Sequence, residues 1–125
     1  MFFCFGDFFP RTFIELDVFY NQWIRCGLTD DDLALLEEEL AKDPKAWPVV
    51  SGTGGMRKMR FALPYSGKSG GIRVCYLDIP TQETIFLLFC YPKNKEENLS
   101  PAELKQIQKI ILEIKNAMKE GTSHE

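Results

Sequence analysis

SGTGGMRKMRFALPYSGKSGGIRVCYLDIPTQETIFLLFCYPKNK, residues 51–95, carries seven Lys or Arg against two acids, a net charge of +5. Residues 1–50 carry −6 and residues 96–125 carry −2, so an acidic chain of net charge −3 hides one basic block. Such asymmetry points to an anionic partner at one face rather than over the whole surface. The block also has the pattern of a sheet. In Met56–Leu63, Met59, Phe61 and Leu63 alternate with Lys58 and Arg60, as side chains do along a strand. Ile72, Val74 and Tyr76 likewise oppose Arg73, Cys75 and Leu77. Thr84–Tyr91 is apolar on both parities, which predicts a strand covered on both faces. With the apolar parities on one core, Lys58, Arg60 and Arg73 are expected to emerge together on the opposite face.

Outward from the block, the N-terminal half predicts a first strand over Arg11–Phe19 and a short helix over residues 19–26, with Phe19, Trp23 and Cys26 on one face. Thr29 is a candidate N-cap, and Asp30, Asp31 and Asp32 suit the positive end of a helix. Leu33, Leu36 and Leu40 recur at helical spacing up to Asp43-Pro44, and the glutamates 37–39 between them form a partly solvated face. Ser51–Gly55 is a turn leading into the second strand, and Ser66–Gly71 is a flexible hairpin loop carrying Lys68. The last helix has Ser100 as cap, Pro101 at its first position and Glu103 completing a capping box. Leu104, Ile107, Ile111, Ile114 and Met118 then form one apolar stripe that packs on the sheet. The order strand, helix, helix, three strands, helix (β-α-α-β-β-β-α) is that of an α+β fold with a mostly antiparallel four-stranded sheet. A length of 125 residues suits one domain spanning 1–125.

Several functions are excluded or disfavoured. Cys4, Cys26, Cys75 and Cys90 have no metal-ligand spacing, two of them lie in apolar strands, and the only histidine, His124, sits in a polar tail. No metal site and no cofactor is expected. The Phe-rich extension MFFCFGDFFP, residues 1–10, is interrupted by Gly6 and Asp7 and lacks a basic start, so neither a signal peptide nor a membrane span fits. A cytoplasmic protein is expected. Ala62–Ser69, ALPYSGKS, matches a relaxed phosphate-loop pattern. A functioning phosphate loop opens a helix, whereas Gly70-Gly71 and a strand follow here, so nucleotide binding is not expected.

GTGGMRKMRFA, then GKSGGIRVCY, then IFLLFCY followed by PKNKEENLS, resembles the HigB-like branch of the RelE/ParE toxin superfamily. The resemblance spans roughly residues 11–115 and is sharpest from Gly52 to Ser100. It departs from the family at Pro92, where a glycine is usual, and in the Phe-rich start. The resemblance implies a RelE-like small domain and a bacterial toxin neutralised by a cognate helix-turn-helix-type antitoxin. It further implies an endoribonuclease that cleaves mRNA on the translating ribosome. Residue by residue, it places Lys58 and Arg60 in the basic pair of the second strand and Arg73 as the arginine of the third. Tyr91, Lys93 and Asn94 fall in the motif that ends the fourth.

Cleavage by attack of the 2′-hydroxyl on the adjacent phosphate gathers charge on the phosphoryl oxygens, where fixed Arg and Lys groups help most. A proton must also leave the 2′-oxygen and reach the departing 5′-oxygen. Lys58, Lys68, Lys93, Tyr76 and Tyr91 are the candidates for that transfer. The expected catalytic set is therefore Lys58, Arg60, Arg73, Tyr91 and Lys93, with Arg57, Lys68, Asn94 and Lys95 binding RNA. Competing readings stay open for individual residues. Arg73 could form an ion pair with Asp78 or Glu83, Lys58 and Arg60 could be a solvated strand face, and Tyr76 belongs by parity to the core. At the level of function, the alternatives are a same-fold toxin that binds a protein target such as DNA gyrase, and a non-enzymatic RNA- or ribosome-binding module.

Overall fold

The computed structural model describes residues 11–62, 71–95 and 98–123, with side chains to Lys119. The Phe-rich residues 1–10, Lys68 with most of its loop, and His124 lie outside the described residues. The elements are β1 (Thr12–Glu15), α1 (Asp17–Arg25), α2 (Asp30–Lys42), β2 (Arg57–Phe61), β3 (Ile72–Ile79), β4 (Thr84–Pro92) and α3 (Pro101–Ser123). They form one four-stranded sheet in the order β1-β4-β3-β2. The β2–β3 and β3–β4 pairs are antiparallel, and only β1 runs parallel to its neighbour β4. This is the mostly antiparallel α+β architecture expected. Among the described residues, no helix is long and apolar enough to cross a membrane.

The first strand is shorter than expected. Alternation suggested Arg11–Phe19, but the strand ends at Glu15 and α1 starts at Asp17. Asp17 in the first turn favours the helix dipole, and burial of Phe19 and Trp23 at i, i+4 outweighs the strand-like spelling of Val18-Phe19. The other local signals hold. Thr29 Oγ1 accepts the Asp32 N–H at 3.1 Å while Asp32 Oδ2 accepts the Thr29 N–H at 2.9 Å. Ser100 and Glu103 make the reciprocal pair at the start of α3, at 3.1 and 2.8 Å.

Both faces of the sheet are covered, each by its own core. Phe19, Trp23, Leu36 and Leu40 from α1 and α2 pack on Met59, Phe61, Val74, Tyr76, Ile85 and Leu87. On the other face, Ile111 of α3 is buried against Met56, Cys75, Leu77, Phe86 and Leu88, flanked by Ile107, Ile114 and Met118. The cationic parity of β2 and β3 therefore does not face open solvent along its length, as the sequence suggested. It lies on the face that α3 covers, and its charged end reaches past the helix. Tyr76 is core, as its parity indicated, and its hydroxyl donates to the Pro44 carbonyl at 2.8 Å.

The Ser51–Gly55 turn fixes α3 against the sheet. Gly52, Gly54 and Gly55 all have positive φ (82°, 86° and 126°), which glycine adopts without strain. The fully buried Thr53 holds the turn, its hydroxyl donating to the Val50 carbonyl (2.7 Å) and accepting the Met56 N–H (3.0 Å). From α3, Lys115 Nζ donates to the Gly54 carbonyl at 2.8 Å. Leaving both buried partners unsatisfied costs ~1–3 kcal/mol each before relaxation. Thr53→Val, nearly isosteric, should lower unfolding stability by ~2 kcal/mol in a urea titration. An unchanged midpoint would show that the turn does not depend on this hydroxyl.

On the far side of α1 and α2, Glu15, Asp17, Tyr20, Asp30 and Glu37 line an acidic cleft, where the Tyr20 hydroxyl donates to Asp30 at 2.8 Å. Burial, then the hydrogen bond and charge of the neighbouring Glu15 carboxyl, push the Glu37 carboxyl up from 4.5 to about 8. The run of glutamates is thus not uniformly a solvated face. The folded state holds this proton where the unfolded chain releases it, so stability falls as pH rises from about 4.5 to 8 and then levels off. Glu37→Gln should raise stability at pH 8 by on the order of 1 kcal/mol after screening, and little at pH 4, in paired denaturant titrations. An equal effect at both pH values would remove the buried proton as its cause.

Candidate active site

A β-bulge in the β3–β4 ladder decides which side chains meet. Tyr76 pairs with Leu87 but Cys75 pairs with Phe89, so Leu88 is an extra residue on β4. Without it, Phe89 and Tyr91 would share the parity of Ile85 and Leu87 and point at α1 and α2. With it, Cys90 turns to that side and Phe89 and Tyr91 turn to the α3 face. The displaced strand is held from α1. β1 pairs with only Thr84–Leu87, and beyond it Gln22 Oε1 accepts the Cys90 N–H at 3.0 Å.

The register then sets two rows across the sheet. Arg60 of β2 is opposite Arg73 of β3, which is opposite Tyr91 of β4. One step along, Lys58 is opposite Cys75, which is opposite Phe89. Cys75 is small and buried, and Lys58 reaches diagonally across β3 so that its Nζ stands 6.0 Å from the centre of the Tyr91 ring. Arg60, exposed on the edge strand, sets its guanidinium 5.8 Å from the centre of the Trp47 ring. Each cation thus rides on an aromatic face, an attraction of ~0.5–1 kcal/mol at exposed sites. Placing Arg60 directly against Arg73 costs stability, since like charges opposite each other repel.

Lys93 enters from the end of the same ladder. Its N–H donates to the Gly71 carbonyl at 3.0 Å, one step beyond the Ile72–Pro92 pair. A Cβ placed on Gly71 would lie 3.9 Å from Arg73 Nη1 and 3.9 Å from Lys93 Cδ, so both cations flank this glycine. Asn94 and Lys95 follow in a 3₁₀ turn and are exposed. Arg73 and Asp78 are five residues apart on one strand, about 16 Å at ~3.3 Å per residue. Glu83 lies beyond Asp78 at that same far end. An Arg73 ion pair with either acid is therefore ruled out, and Asp78 instead meets Arg11 at 3.7 Å.

Lys58, Arg60, Arg73, Tyr91 and Lys93 are thus brought together, with Asn94 and Lys95 at their margin. Arg57 is not. It lies on the other parity, opposite the core residue Tyr76, and its Nη1 donates to the Trp47 carbonyl at 2.6 Å and the Lys45 carbonyl at 3.4 Å. It is also one of three cations, with Arg11 and Lys45, that offset the upward push of burial on the Asp78 carboxyl. Three neighbours escaped the sequence reading. Phe89 was hidden by the bulge, Trp47 by its distance from the basic strand, and Gly71 by its grouping with a loop. Only Trp47 carried a usable signal, as an aromatic just before the turn that leads into β2.

The arrangement suits an anion with charge on several oxygens. Arginine and lysine side chains from β2, β3 and the turn after β4 gather at one end of a rigid sheet face, with the phenol of Tyr91 among them. A family model described as the RelE toxin of the RelE/RelB toxin-antitoxin system matches residues 20–123, from within α1 to the end of α3. That span contains all five converging residues. The chain belongs to the RelE toxin family, and is the toxin member of a toxin-antitoxin pair, with an antitoxin as its partner.

Proposed function

We propose that the protein is a metal-independent endoribonuclease of the HigB-like branch that cleaves mRNA on the translating ribosome in the cytoplasm. The observation that carries this reading is the row Arg60–Arg73–Tyr91, joined by Lys58 and Lys93 on one rigid face. A toxin that only binds a protein target has no need of cations converging at a phosphate-sized point.

In this reading Arg73 and Lys93, on either side of Gly71, hold the scissile phosphate. The 2′-oxygen attacks phosphorus, the bond to the 5′-oxygen breaks, and the negative charge that gathers on the phosphoryl oxygens is met by fixed donors. The proton leaving the 2′-oxygen and the one delivered to the 5′-oxygen pass through Lys58 and Tyr91, which already stand against each other. Arg60, Asn94 and Lys95 contact the flanking strand, Lys68 joins them on the sequence pattern alone, and Arg57 serves the fold. A set with no imidazole is intrinsically weak, which fits an enzyme whose substrate geometry is supplied by the ribosome.

Arg73→Ala should lower cleavage of translated mRNA by ~10²–10³ while leaving the circular dichroism spectrum unchanged. Arg73→Lys should recover little, because a point charge does not reproduce the planar fork. Primer extension on mRNA from induced cells reads both. New 5′ ends at wild-type levels in Arg73→Ala would take this residue out of the site. Growth inhibition by the wild type with no new 5′ ends would instead indicate a protein target.

The proposed antitoxin is of the helix-turn-helix type and blocks a very large substrate by occlusion, without filling the cationic pocket. Lys58→Ala and Arg73→Ala should therefore keep antitoxin affinity within about tenfold, ~1.4 kcal/mol, by calorimetry. A loss of several hundredfold would mean that the antitoxin reads these charges directly.

A further inference from the structure

At the opposite end of the sheet from the basic residues lies a cleft of about 620 Å³. Ile79, Pro80 and Gln82, where β3 turns toward β4, form one wall, and Lys115, Met118 and Lys119 of α3 form the other. Here the apolar stripe of α3 is incompletely covered. Ile111 is buried, whereas Ile114 and Met118, further along the helix, are only half-buried. The chain enters the sheet beside this cleft. Thr12 opens β1 opposite Thr84, and Thr84 is opposite Ile79, so the three lie in one row. The preceding ten residues, MFFCFGDFFP, hold five of the chain's ten phenylalanines and a single charged side chain, Asp7. We propose that this cleft is the docking place of the chain's own N-terminal segment, with Phe8 and Phe9 against its apolar walls and Asp7 beside Lys119. The proposal goes beyond the endonuclease reading and does not depend on it.

Reach, apolar match and charge each favour this occupant. The entry point is fixed, because the Thr12 N–H donates to the Glu83 carbonyl at 2.8 Å. With neighbouring strands ~4.8 Å apart, Ile79 lies about 10 Å from Thr12 across the row. Residues 7–11 span up to ~17 Å when extended, so Phe8 and Phe9 reach the cleft without a long connection. The two rings leave water for the surface of Ile79, Pro80 and Met118, a gain that grows with the apolar area covered. A methionine thioether also makes favourable contacts with aromatic rings. The charge of the segment is opposite to that of the cleft. Lys115 Nζ already donates to the Gly54 carbonyl at 2.8 Å, so Asp7 is assigned to Lys119, one turn further along and exposed. An occupant here clamps the last turns of α3 to the sheet, adding to the tie that Lys115 makes.

The test uses the full chain with its methionine methyl groups isotope-labelled for NMR. The Met118 methyl should show nuclear Overhauser contacts to aromatic protons, and Phe8→Leu and Phe9→Leu should remove them. Amide exchange over residues 114–119 should speed up about tenfold in Phe8→Ser/Phe9→Ser, with the circular dichroism spectrum unchanged. Lys119→Glu, at an exposed position where folding is not at issue, should speed it up about threefold, and adding Asp7→Lys to it should restore the wild-type rate. Met118 contacts that are absent, or that survive both Phe→Leu changes, would overturn the proposal. Exchange that none of these substitutions moves would do the same, and a charge swap that restores nothing would overturn the Asp7–Lys119 pairing. Contacts that appear only between differently labelled copies would give the cleft to a second molecule of this chain. Contacts that appear only when antitoxin is added would give it to the antitoxin, and either result would overturn docking within one chain.

Discussion

The pairing of β3 with β4, and the single extra residue within it, is the constraint on which the candidate site depends. An antiparallel ladder fixes side chains to alternate faces, so the parity of Ile85 and Leu87 commits every later odd-numbered residue of β4 to the α1–α2 core. Leu88 breaks that commitment. After it, Phe89 and Tyr91 face the basic residues of β2 and β3, and Cys90 takes the core position. Bulges recur where a sheet must re-aim a side chain, and this one re-aims two aromatics. The interruption needs support, because β1 has ended by then and the outer edge of β4 would expose its amides. Gln22 of α1 supplies an acceptor at Cys90.

The same sheet face is divided between an apolar part and a basic part. Toward the middle and far end of β3, α3 buries Cys75 and Leu77 under Ile111, and the Gly-rich turn ties the helix down through Thr53 and Lys115. Toward the near end the same face carries Lys58, Arg60 and Arg73. The motifs of the basic block thus split by role. GTGG builds a turn under the helix, whereas the basic pair of β2, Arg73 and the Lys93 turn build the basic end. Setting Arg60 against Arg73 is a local electrostatic cost within that basic end.

Much of this was legible in the chain, and the legible parts are those governed by short-range rules. The capping boxes at Thr29 and Ser100 depend on residues three apart, and the stripe of α3 on a fixed helical period, so both follow from spelling alone. The strand alternation in β2 and β3 also follows, and with it the shared face of Lys58, Arg60 and Arg73. What did not follow depends on partners distant in sequence. No residue type announces the Leu88 bulge, because Thr84–Tyr91 is apolar on both parities and spells the same with or without a shift. Arg57 was grouped with its basic neighbours although the period of two already put it on the other face; its carbonyl partners at Lys45 and Trp47 come from a segment with no pattern. The end of β1 was misplaced because Val18-Phe19 suits a strand locally, and only the cavity filled by Phe19 and Trp23 selects the helix.

The central claim is that an RNA phosphate is met at the end of the sheet face where Arg73, Tyr91, Lys58 and Lys93 converge. Titrating isotope-labelled protein with a short oligoribonucleotide, with a 2′-deoxy sugar at one position to prevent cleavage, locates that contact directly by NMR. The account predicts that the largest shifts fall on Gly71, Arg73, Tyr91 and Lys93, that Lys58 and Arg60 side chains follow, and that raising salt reverses them. Shifts confined to the far end of the sheet, around Asp78 and Lys115, with the converging residues unmoved, would contradict it.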